Sequence, residues 1–170
     1  MATVYQQFLP EEAIFRSTAF PQYVKANGTT IPVSGLAYNA ADGANEQAFW
    51  RFRAINYASG NLTIHVDWYA DTALSGDVVW DAQIAAITPD TDTQDIETDA
   101  LAIENTVTDS HLGTTGQRLH RAVITLSNLD ALAADDYVAL VIRRDTTAAN
   151  PDTMAGDAIV IMVTVSYSDV

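Results

Sequence analysis

An alternation of period two runs through residues 48–70, AFWRFRAINYASGNLTIHVDWYA, and it constrains the fold more than any other feature. Trp50, Phe52 and Ala54 alternate with Arg51 and Arg53, and Leu62, Ile64, Val66 and Trp68 alternate with Thr63, His65 and Asp67. Successive side chains of a strand point to opposite faces, so each row describes a strand with one buried and one wet side. The turn-forming residues Ala58-Ser59-Gly60-Asn61 lie between the two rows, which predicts a hairpin. Further strands are predicted at 77–87, 102–109, 119–127, 137–144 and 157–168. Val78, Trp80, Ala82, Ile84 and Ala86 form the inner row of the first of these, and the last is apolar on both faces in its first half. Residues 13–20 read as a first strand ended by Pro21. Residues 22–25 run into an Asn27-Gly28 turn, and Ile31-Pro32-Val33 suits an edge. No amphipathic helix of useful length appears; residues 128–135 offer at most one helical turn.

About eight or nine strands separated by polar loops define an all-β, two-sheet antiparallel β-sandwich. Long strands with uneven loops suit a jelly roll at least as well as an immunoglobulin fold. Residues 13–170 form one domain on this reading. Residues 1–12 form an irregular N-terminal arm, in which Tyr5, Phe8 and Leu9 would dock on a neighbouring subunit.

Composition closes off several functions. The net charge is −14 with eight Lys and Arg, which argues against nucleic acid and against anionic membranes as partners. There is no run of about 18 apolar residues to span a bilayer, and the N-terminus lacks the basic and apolar regions of a signal peptide. The absence of cysteine removes disulfides, thiolate catalysis and Cys-ligated zinc.

Candidate chemistry is sparse. Asp90, Asp92, Asp95, Glu97 and Asp99 offer hard oxygen ligands for calcium. Counted from Asp90, however, the sixth and twelfth positions are Asp95 and Leu101, where an EF-hand needs Gly and Glu, so a solvated loop is expected. His65, His111 and His120 have no metal-ligand spacing. There is no G-x-S-x-G, dinucleotide fingerprint or P-loop. No catalytic residue, cofactor or metal is therefore assigned. Tyr57, Tyr69 and Tyr137 are candidates for exposed or interfacial rings. Arg51, Arg53, Arg143 and Arg144 are half of the cations, expected to pair with carboxylates within the chain or across a subunit interface.

Two blocks, 48–89 and 119–145 with its continuation 156–168, resemble small β-sandwich proteins of tailed bacteriophages and prophages. The shared phrases are Trp50-Arg51-Phe52, Ser75-Gly76-x-Val78-Val79-Trp80, Leu119-His120 followed by Ile124-Thr125-Leu126, Leu132-Ala133-x-Asp135-Asp136, and Gly156-Asp157-Ala158. The resemblance implies a non-enzymatic virion protein with a jelly-roll body. It would be a capsid decoration, or cement, protein bridging major capsid protein subunits as a homotrimer on the capsid exterior, made in the host bacterial cytoplasm. A carbohydrate- or receptor-binding module of a phage tail is the alternative, marked by an exposed aromatic platform or a calcium site. A small jelly-roll hydrolase or lyase, with a cleft of convergent His and carboxylate groups, is the third reading.

Overall fold

The computed structural model describes residues 2–41, 43–73, 75–147 and 152–169. The described chain contains β1 (Thr3–Phe8), a 3-10 turn (Pro10–Glu12), β2 (Gln22–Asn27), β3 (Pro32–Tyr38), β4 (Gln47–Arg53), β5 (Leu62–Ala70), β6 (Asp77–Ile87), β7 (Asn105–Ser110), β8 (His120–Leu126), β9 (Tyr137–Arg144) and β10 (Ala158–Ser168). One sheet has the order β2-β3-β10-β5-β8, with β1 also paired to β10; the other has the order β4-β9-β6-β7. Every pairing is antiparallel. The expected all-β two-sheet sandwich is thus the observed architecture. No helix among the described residues is long and apolar enough to cross a membrane.

The alternating rows meet between the sheets. Trp50, Trp68 and Trp80 are all essentially inaccessible to solvent. Trp68 and Trp80 have ring centroids 6.2 Å apart, and Tyr38 meets Trp80 edge-on at 5.2 Å, a geometry that suits the quadrupoles of the rings. Ala122, Ile124 and Leu126 of β8 and Val138, Leu140 and Ile142 of β9 complete the interior, as their alternation requires. The first half of β10 is covered on both sides. Ala158 and Val160 face the main core, while Ile159 packs with Ala37 and Tyr69 in a second cluster on the opposite face.

Three expectations are corrected. Residues 48–70 are not a hairpin: β4 pairs with β9 in one sheet, and β5 pairs with β10 and β8 in the other. Two strands that each bury one apolar row can face each other across a sandwich as readily as lie side by side, and the pattern alone is silent on which occurs. The connection is pinned as a crossover, with Ala54 donating to the Asp136 carbonyl and Tyr57 bridging Asp169.

The N-terminal stretch is not irregular. Residues 3–8 run antiparallel to β10, from Thr3 opposite Ser168 to Phe8 opposite Val163. The period of two was masked by Gln6 in the more buried row, where its amide donates to the Arg53 carbonyl and the Tyr167 hydroxyl. Residues 13–20, in turn, are not a strand. They touch the edge of β4 through an isolated bridge between Ile14 and Phe49 and through Gln47 donating to the Ala19 carbonyl.

Candidate ligand-binding groove

The outward face of the β4-β9-β6-β7 sheet divides into two halves. Register fixes transverse rows across the strands: Arg53–Tyr137–Ile87, Arg51–Ala139–Ala85, Phe49–Val141–Gln83, and Gln47–Arg143–Asp81–Thr106. The last row is a polar network. Arg143 donates through Nε to Asp81 Oδ2 at 2.8 Å and again through Nη2, while the Thr106 hydroxyl donates to Asp81 Oδ1 at 2.6 Å. Burial raises the Asp81 carboxyl above its ordinary pKa, opposed by the bonds from Thr106 and Arg143.

The Arg51–Ala139–Ala85 row, with Tyr137 and Ile87 of one neighbouring row and Phe49 of the other, forms the floor of a groove of about 440 Å³. Ala139 and Ala85 leave the centre of the floor shallow, and Tyr137 and Ile87 lie towards one end. One wall is the 14–16 segment held against β4. Its Arg16 guanidinium lies 5.0 Å from the Phe49 ring centroid, and Phe15 leans on Phe20 with rings 5.8 Å apart. The other wall is the end of the acidic loop, carrying Ile96, Glu97, Asp99 and Leu101. This wall is tied to β6, since Ala102 donates to the Ile84 carbonyl at 2.8 Å and Gln83 donates to the Ala102 carbonyl at 2.9 Å.

The acidic loop closes largely on itself. The Asp92 carboxylate accepts from the Thr88 amide and the Asp95 carboxylate from the Glu97 amide, so the loop's own backbone occupies those oxygens. No group of three or more His, Asp or Glu among the described residues could hold a metal ion. Asp99 differs from Asp92 and Asp95. Its Oδ1 accepts from the Ala100 amide, but its Oδ2 is buried without a hydrogen-bond partner.

The sequence-predicted residues scatter over this frame. Arg51 is exposed and lines the groove. Arg53 pairs with Asp135 at 3.5 Å on the surface. Arg144 is fully buried, and all five of its N–H groups are used: Nε and Nη2 bind Asp152, Nη1 reaches the Tyr38 and Gly156 carbonyls, and Nη2 also reaches the Met154 carbonyl. The pairing of arginines with carboxylates within the chain is therefore observed for Arg53, Arg143 and Arg144. Of the expected arm contacts, Tyr5 and Leu9 are exposed and Phe8 is buried against Phe52. Phe8 and Arg144 thus belong to the interior rather than to a surface. Tyr69 and Tyr57 are buried too; Tyr137 is half-buried, in the groove.

His111 and His120, nine positions apart, are brought together with ring centroids 4.6 Å apart, and His120 stacks on Trp68 at the same distance. The signal that sequence reading passed over was Phe49, an apolar ring in the outward row beside Arg51 and Arg53.

No protein-family model matches the chain, and no curated protein matches it. Solved structures do. The CBM36-1 domain of a multidomain xylanase from the hindgut metagenome of Trinervitermes trinervoides is 12% identical over 98% of this chain and 100% of that one, with a TM-score of 0.52. A mannan-recognising carbohydrate-binding module, TmCBM27, is 8% identical over 99% of each chain with a TM-score of 0.49. The module CBM36, solved with calcium and xylotriose, is 15% identical over 94% of this chain and 98% of that one, with a TM-score of 0.47. The first likeness shows a shared sandwich fold. All three are named as carbohydrate-binding modules, not as catalytic domains.

The first of these likenesses, to a carbohydrate-binding domain and not to a capsid protein, overturns the capsid-decoration reading, and with it the major capsid protein and the homotrimer as partners. The motifs behind that reading prove to be structural. Trp50, Phe52, Val78 and Trp80 are core residues. Gly76 sits at φ +110°, where an added Cβ would come within 2.6 Å of the Met154 Cα. Asp136, buried, accepts from the Ala133 amide and the Thr88 hydroxyl. Such phrases report on a sandwich being built and not on what it binds.

Proposed function

We propose that this chain is a non-enzymatic saccharide-binding module and that the groove on the β4-β9-β6 face is its site. The observation that carries the reading is the groove's composition. A shallow floor of Ala139 and Ala85 lies beside the rings of Phe15, Phe49 and Tyr137, between an arginine wall and a carboxylate wall. A pyranose presents apolar C–H faces and a rim of hydroxyls that both donate and accept. Rings meet the first, and Arg51, Glu97 and Asp99 meet the second. Strands of the sandwich hold Arg51, Phe49, Tyr137, Ala139 and Ala85 in place, and the hydrogen bonds of Ala102 to Ile84 and Gln83 tether the loop that carries Glu97 and Asp99. The sandwich fold shared with a xylanase's carbohydrate-binding domain supports the same reading.

The test is affinity electrophoresis of the full chain through gels containing soluble xylan, mannan, mixed-linkage glucan, pectin or alginate, followed by calorimetry on whichever retards it. Retardation by at least one polysaccharide is expected, with Tyr137→Ala and Glu97→Ala each weakening binding about tenfold. Failure of every polysaccharide to retard the protein, or wild-type retardation of both variants, would refute the assignment.

A further inference from the structure

The chain carries eight cations against 22 carboxylates, and the cations divide sharply by partner. Arg53, Arg121, Arg143 and Arg144 each pair with a carboxylate. Arg118 donates to the Leu112 carbonyl, and Lys25 lies against the Tyr23 ring. The two that remain, Arg16 and Arg51, both line the groove, and neither forms an ion pair with a described carboxylate. Arg16 is held against the Phe49 ring, whereas Arg51 stands in the groove with its planar fork of donors uncommitted.

Opposite stands the wall that carries Glu97 and Asp99. Arg51, Ala139 and Ala85 share one transverse row, so the arginine side and the β6 side are separated by two strand spacings, about 10 Å. That width accommodates one sugar ring and its substituents.

We infer that the groove's ligand is an acidic saccharide, a glycan containing uronic acid residues. This deepens the saccharide-binding reading and rests on it. The uronate carboxylate pairs with the Arg51 guanidinium, whose geometry matches a carboxylate in bidentate fashion. Ring hydroxyls donate to the exposed Glu97, and a C–H face lies over Ala139, Ala85 and Tyr137. A neutral sugar covers the Arg51 charge without compensating it, which is unfavourable. An amino sugar sets a like charge against Arg51. The uronate alone among these supplies the partner that Arg51 lacks.

The experiment is calorimetric titration of the full chain at about 0.15 M salt, where charges more than about 8 Å apart are largely screened and the chain's distant carboxylates weigh little. The probes are trimers of galacturonate, trimers of mannuronate and a glucuronate-bearing xylo-oligosaccharide. Each is compared with its own carboxyl methyl ester, which keeps the ring and removes the charge, and with neutral xylo-, manno- and gluco-oligosaccharides. At least one acid should bind about tenfold or more tightly than its ester. Arg51→Gln should erase that difference, while thermal unfolding confirms that the variant is folded. Binding of esters or neutral sugars as tight as that of every acid, or an acid preference that survives Arg51→Gln, overturns the inference and leaves the saccharide reading standing. Absence of binding by every oligosaccharide, acid or neutral, removes the saccharide reading itself, and the uronate inference with it.

Discussion

At the scale of single residues, the interior holds two polar devices that ordinary core logic would forbid. Arg144 is one: a fully buried guanidinium tolerated because each N–H has an acceptor. Arg144→Met leaves the buried Asp152 carboxylate without its counter-ion, with only the Val79 amide, among the described residues, still donating to it, and removes the donors to three carbonyls, so a loss of about 3–5 kcal/mol in urea unfolding is expected. A midpoint close to wild type would mean that the network is dispensable. The histidine pair is the other. His120 Nε2 accepts from the Leu112 amide and His111 Nδ1 from the Gly113 amide, and both bonds hold the loop. Burial, then the adjacent His111 and Arg118, keep His120 below its ordinary pKa of 6.5, against the pull of Asp109 and a backbone hydrogen bond. Below that value the unfolded chain takes up the proton first. The contribution to stability is therefore complete above pH 6.5 and is lost as pH falls through the lower, folded-state pKa. Wild type should unfold at lower urea near about pH 5.5 than near about pH 7.5, and His120→Gln should flatten part of that slope. An unchanged slope in the variant would place the sensitivity elsewhere.

At the scale of elements, β1 changes what the N-terminus is for. It covers one flank of β10, buries Phe8 against Phe52, and continues to Leu9, whose carbonyl accepts from Trp50 Nε1. Deleting residues 1–12 removes a six-residue ladder as well as a core ring, so about 3–5 kcal/mol of stability should disappear, visible as a marked drop in melting temperature. A truncated chain as stable as the parent would restore the view of a detachable arm. Period-two patterning was sufficient to place β5, β6, β8, β9 and β10, because their inward rows are apolar except at one strand end each, His120 on β8 and Arg144 on β9. It failed for β1, where Gln6 occupies the inward row on the strength of two hydrogen bonds. It could not show that β4 and β5 part company, since an inward row has the same composition whichever sheet it belongs to. The groove was legible in pieces: Arg51, Tyr137, Glu97 and Asp99 were each noticed, for different reasons. Their convergence depends on the β4-β9-β6 register and on the Ala102–Ile84 hydrogen bond, both of them long-range contacts without a local pattern.

At the scale of the whole molecule, the free sheet edges are guarded against self-pairing. Residues 14–19 lie along β4, β2 carries Lys25, and β7 and β8 present Thr106, Thr108, Arg121 and Thr125. With the outer face of one sheet given to a groove and an ion-pair network, light scattering behind a sizing column should return the 18.4 kDa of a single chain at low micromolar concentration. A stable trimer would show that another surface, such as the exposed Tyr5 and Leu9, is an interface. The position of β10 has a consequence for how such a chain comes into being. β10 lies between β5 on one side and β3 and β1 on the other, yet in chain order it follows all the other nine described strands. The four strands of the β4-β9-β6-β7 sheet are all available once residue 144 has emerged from the ribosome, whereas β1, β3 and β5 must wait for residues 158–168 to join them. Until residues 158–168 emerge, the nascent chain therefore displays the apolar rows of β3 and β5 on strands that lack their shared neighbour. This is the form that chaperones capture and that aggregates at high expression.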